Sequence, residues 1–83
     1  MAGKYEPLAD YLKRQRVGEA TMSFASLAAI VGQLPPSAYA HEEWWSNSPS
    51  QHTQARNGWL AAGWEVASFD IPSEVVTFRK QLS

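Results

Sequence analysis

The apolar positions of the chain fall into short runs separated by glycine and proline. Leu8, Tyr11 and Leu12 recur at the three- and four-residue spacing of one helical face. Pro7 suits a first helical turn, and Lys13, Arg14 and Arg16 gather where positive charge complements the C-terminal end of a helix dipole. The pattern predicts a helix from Pro7 to Arg16. Its basic end has two readings: complement to the dipole, or contact with a partner.

Thr21, Met22 and Phe24 suit a short strand. Ser23 then caps a helix from Phe24 to Val31, with Leu27, Ile30 and Val31 turned inward and Gly32 as its stop. Pro35-Pro36-Ser37 opens a third helix, expected over Ser37–Trp45, whose large apolar groups are Tyr39, Trp44 and Trp45. Pro49 fits the first position of a fourth, expected over Pro49–Ala62, with Ala55, Trp59 and Ala62 on one side and Gly63 as its end. Gly58 inside it costs about 1 kcal/mol relative to alanine, so packing through Trp59 must hold that segment.

The remaining residues alternate with a period of two. Trp64 and Val66 in one run, and Val76 and Phe78 in the other, flank the polar loop Asp70-Ile71-Pro72-Ser73-Glu74 and predict a hairpin. A lone hairpin is marginally stable, so the strand near Thr21–Phe24 is expected to join it as a third. Three or four helices followed by a C-terminal β-hairpin make a small α+β fold, and this order is the order of a winged helix.

Composition narrows the class. At 83 residues there is room for one domain, expected over 1–83. A chain this small buries only about 60–65% of its unfolded surface, and four Trp, three Tyr and three Phe make that burial efficient. With no Cys, neither a disulfide nor a cysteine-based zinc site can form. A hydrophobic share of 45% and a net charge of −1 exclude the disordered class. No run approaches the roughly 20 apolar residues of a membrane span, and the N-terminus lacks the apolar core of a signal peptide, so no membrane partner and a cytoplasmic location are expected.

Signatures of catalysis are scarce. The chain has no phosphate-binding glycine loop, no G-x-S-x-G and no H-E-x-x-H, since Trp45 stands where the second histidine would be. His41, Glu42 and Glu43 would need His52 brought beside them to hold a metal. The expectation is a non-enzymatic protein without cofactor or metal.

Charge distribution is more informative. Residues 44–64 contain no Asp or Glu, while the same stretch carries Asn47, Ser50, Gln51, His52, Thr53, Gln54, Arg56 and Asn57. Amides and a guanidinium near a helix N-terminus match the edges of adenine and guanine in a major groove, and free N–H groups there favour phosphate. In a winged helix the helix ahead of the hairpin is the recognition element. Asn47, Gln51, His52, Gln54, Arg56, Asn57 and, at the end of the hairpin, Arg79 are the candidate contacts to duplex DNA. Seven Lys and Arg are few for such a role, and Glu42 and Glu43 lie close by.

The rival expectation is a protein-interaction module, such as a phage- or plasmid-type inhibitor or adaptor. It would use whichever of Trp44 and Trp45 stays exposed, because adjacent helical residues diverge by about 100°. Homodimerisation through the edge of the hairpin stays open.

Several motifs carry a resemblance. They are Lys4-Tyr5-x-Pro7-Leu8, Tyr11-Leu12, Ser23-Phe24, Leu34-Pro35-x-Ser37-Ala38, Trp44-Trp45-x-Asn47, Gln54-Ala55 with Trp59-Leu60-x-Ala62-Gly63-Trp64, and Val76-x-Phe78-Arg79. Through them nearly the whole chain resembles an uncharacterised family of small bacterial and phage domains. That resemblance implies a complete domain and no particular activity.

Overall fold

A computed structural model of the chain describes residues 3–48 and 50–81. Its elements run α1 (Glu6–Lys13), β1 (Glu19–Ser23), α2 (Phe24–Val31), α3 (Pro36–Ala40), a 3₁₀ turn (Glu42–Trp45), a π-helical turn (Ala55–Trp59) tightening into a 3₁₀ turn (Leu60–Ala62), then β2 (Trp64–Asp70) and β3 (Val75–Lys80). The fold is a small α+β arrangement of helices and a three-stranded antiparallel sheet in the order β1-β3-β2.

Local rules explain most boundaries. The Ser23 hydroxyl accepts from the Ser26 amide at 3.0 Å and caps α2, and Gly32 ends that helix with φ at +101°, a conformation that side chains oppose. α1 stops at Lys13, three residues before the expected Arg16, and Lys13-Arg14-Gln15-Arg16 offers no apolar side chain to the core.

The expected helix over Ser37–Trp45 is broken. His41 is extended, with φ −124° and ψ 118°, and the chain restarts as a 3₁₀ turn. The break lets two consecutive indoles turn into the same core. The expected helix over Pro49–Ala62 is also shorter: it starts from the His52 carbonyl, which accepts the amides of Ala55 and Arg56, each at 3.1 Å. The proposed first-turn role of Pro49 lies outside the described residues.

The hairpin spans Trp64–Asp70 and Val75–Lys80, closed by residues 71–74. β1 supplies the third strand and pairs with β3, with Ala20 opposite Phe78 and Met22 opposite Val76. On the far side Val66 faces Phe78 and Phe69 faces Val76. Trp64, Val66 and Phe69 are out of phase for a regular strand. A bulge between Val66 and Ser68 restores Phe69 to the core face.

The core lies between that face and the helices. Leu8, Leu12, Phe24, Leu27, Trp45, Trp59, Trp64, Val76 and Phe78 are fully buried. Trp45 stacks on Phe24 with ring centres 4.7 Å apart and meets Trp44 edge-on at 4.6 Å. The π-helical turn packs against the start of α1, where a β-carbon at Gly58 would stand in contact with Tyr5 Cβ at 3.4 Å and Leu8 Cδ2 at 3.5 Å. No described helix is long and apolar enough to cross a membrane.

Candidate nucleic-acid interface

The seven candidate residues divide by what their side chains already touch. Asn47 follows the 3₁₀ turn that carries the Trp pair. Its Oδ1 accepts from the Val66 amide at 2.9 Å and from Trp59 Nε1 at 3.0 Å, and its Nδ2 donates to the Val66 carbonyl at 3.1 Å. Both the oxygen and the nitrogen of this amide bond within the molecule, although the residue as a whole is exposed.

Gln54 is buried, and its Nε2 donates to the Trp44 carbonyl at 2.9 Å. Asn47 and Gln54 thus spend these amide groups on Val66, Trp59 and Trp44 within the fold. Gln54 is the buried one of the two, and a buried polar group is tolerable only when it is satisfied, as its bond to Trp44 makes it. The sequence does not show these bonds, because Asn and Gln carry the same donors and acceptors wherever they point.

Arg79 is committed in part. It lies on the outer face of the sheet, between Glu19 and Glu65 in the strand register, and its Nη2 sits 2.6 Å from Glu65 Oε2. The pair is exposed, so its net worth to stability is at most about 1 kcal/mol, yet it offsets the arginine's charge.

Gln51, Arg56 and Asn57 are exposed and His52 is half-buried. They follow one another around the start of the helical segment that leads into β2. Asn57 also lines a groove of about 460 Å³ with Lys13, Asp10 and Glu6 of α1.

A family model described as a domain of unknown function, DUF7662, matches residues 5–81. The chain belongs to the DUF7662 family. No curated protein and no solved structure matches it.

In this DUF7662 domain the Trp pair is inside. Trp44 is 7% and Trp45 1% exposed, which corrects the expectation that one of them stands at the surface. The Trp45 Nε1 donates to the Ala38 carbonyl at 2.9 Å, so the indole's only polar atom is also satisfied internally. A partner surface anchored on either indole has no exposed ring to use.

His41 is exposed and lines an open groove with Ala40, Glu42 and Glu43. His52 lies eleven positions on, at the start of the next helical segment. Among the described residues no three His, Asp or Glu side chains come together as a set of metal ligands.

The hairpin has two edges of different kinds. β3 is central, so the hairpin's outer edge is β2, and the Asn47 amide occupies both backbone groups of Val66 there. The other edge of the sheet is β1, which among the described residues pairs with β3 alone.

Proposed function

We propose that the chain is a non-enzymatic DNA-binding domain of winged-helix type, with the surface polar residues of segment 50–57 as its reading element. One observation carries the reading. The chain runs helix, strand, helix, helical segments, strand, strand, with the last strand between the other two, and an acid-free polar segment leads into the hairpin. That connectivity supports a helix–turn–helix core with a three-stranded wing.

Gln51, His52, Arg56 and Asn57 are the proposed contacts. Amide and guanidinium groups pair with purine edges, and the amides opening the helix favour phosphate. The other candidate element, α3, offers Ser37, Tyr39 and Ala40 at its surface and no cation. Asn47 and Gln54 act behind the contact residues by holding the segment to Val66 and Trp44.

The test is an amide NMR titration with mixed-sequence duplex DNA at low salt. Shifts are expected on residues 50–57, fading as salt rises, and Arg56→Ala/Asn57→Ala should abolish them while leaving the rest of the spectrum unchanged. An unperturbed spectrum at low salt overturns the reading, as does unchanged affinity in the double variant.

A further inference from the structure

The basic run after α1 is not needed to finish that helix. At its end the Tyr11 carbonyl accepts from the Arg14 amide at 3.2 Å and from Gln15 Nε2 at 3.0 Å, and the Leu12 carbonyl accepts from the Gln15 amide at 3.1 Å. The backbone amides of Arg14 and Gln15 and the Gln15 side chain thus cap the helix, with no part taken by a charged side chain. The side chains of Lys13, Arg14 and Arg16 are exposed and make no ion pair among the described residues.

The sheet brings a fourth cation to the same end. The Lys80 amide donates to the Gly18 carbonyl at 2.8 Å, two residues past Arg16, and the Gln81 amide to the Gly63 carbonyl at 2.8 Å. Lys80 alternates with Arg79 along β3. Arg79 therefore points to the outer face, between Glu19 and Glu65, while Lys80 points to the side on which Phe78 and Trp64 meet the core and α1 packs. The two faces sort the charges: Glu65 pairs with Arg79, and among the described residues no carboxylate pairs with Lys80.

The Lys80 backbone is thus held to Gly18, two residues past Arg16, so β3 ends beside the segment that carries Lys13, Arg14 and Arg16, in a chain whose net charge is −1. Cations gathered on one side of a chain favour a polyanion there. This basic pole also adjoins the proposed reading segment, because Lys13 and Asn57 line one groove. Asp10 and Glu6 line that groove one and two helical turns earlier on α1, which disfavours an anion there and leaves the Lys13 end for it.

We infer that this pole, Lys13, Arg14, Arg16 and Lys80, seats the sugar–phosphate backbone of the DNA whose bases face residues 50–57. The inference rests on the DNA-binding reading and assigns its phosphate contacts to α1 and β3. Phosphate contacts set register and carry the salt dependence, whereas base contacts carry sequence.

The test is fluorescence anisotropy with a mixed-sequence duplex over a range of salt. Each neutralised phosphate contributes about −0.9 to the slope of log affinity against log salt. Arg14→Gln/Arg16→Gln/Lys80→Gln should weaken binding to every duplex alike and reduce the slope's magnitude by about 2.7. Lys13→Arg/Lys80→Arg should keep the wild-type slope. Circular dichroism confirms that each variant is folded, as expected for exposed positions.

If the wild type binds and the triple variant keeps its slope, the pole is not the phosphate seat, while the DNA reading stands. If the wild type binds no duplex, the DNA reading fails and this inference with it. Binding to vesicles rich in phosphatidylserine, with none to DNA, likewise overturns both, since it makes the pole a membrane contact.

Discussion

The side-chain amide of Asn47 pairs with Val66 as a neighbouring strand would. It takes the Val66 amide at 2.9 Å and gives a hydrogen to the Val66 carbonyl at 3.1 Å, one residue before the bulge in β2. One side chain thus closes the exposed edge of the hairpin and, through Trp59 Nε1, ties it to the π-helical turn. An unpaired strand edge invites association, and this edge is occupied at its midpoint.

Asn47→Ala removes three hydrogen bonds and leaves the Trp59 indole N–H and both Val66 backbone groups without their partner. The expected loss is about 2–4 kcal/mol, read from urea denaturation, with a melting temperature lower by about 10–20 °C. Glu65→Ala, which breaks only an exposed ion pair, should stay within about 1 kcal/mol of wild type. Equal effects of the two substitutions would refute the clamp role.

Trp44, Trp45, Trp59 and Trp64 are all buried. Native emission should therefore be blue-shifted and protected from acrylamide, with both properties lost on unfolding. Trp45→Phe retains a ring against Phe24 but orphans the Ala38 carbonyl, and should cost about 1–3 kcal/mol. Strong quenching of the folded protein would contradict the packing.

Glu74 closes the hairpin with φ at +54°, a left-handed conformation that a β-carbon opposes. Its amide and carbonyl both bond within the fold, to Ile71 and Phe24. Glu74→Gly keeps those bonds and removes the clash, so stability should rise by up to about 1 kcal/mol despite the greater freedom of the unfolded chain. A thermal melt that shows destabilisation refutes this.

Burial raises the pKa of Tyr5 above its ordinary value of 10.0. The folded state then holds the phenol's proton more tightly than the unfolded state does. The resulting stability is fully present below pH 10 and is lost as pH rises through the folded pKa. Denaturation midpoints should fall in that alkaline window, and less steeply in Tyr5→Phe. Identical slopes in the two proteins would exclude Tyr5 as the cause.

Much of the architecture was legible along the chain. Ser23 and Gly32 bound α2 as expected, since capping and positive φ are local chemistry. The hairpin and its third strand followed from period-two runs and from the instability of a lone pair of strands. The resemblance to an uncharacterised family was legible too, in motifs spread over the length that the DUF7662 model matches. The break at His41 was not, because Ser37–Trp45 reads as an adequate helix until both indoles must enter one core.

Function divides at the same line. The chain by itself determined which groups are available: an acid-free run of amides with one arginine, a basic turn after α1, and four indoles. Only the tertiary structure decided their use. Asn47 meets a strand 19 residues away and Gln54 a carbonyl 10 residues away, while Gln51 and Asn57, with the same amides, stay at the surface. An amide reads a base or seals a backbone with the same donor and acceptor. Which of the two it does depends on what folding sets against it, and that partner comes from a distant part of the chain.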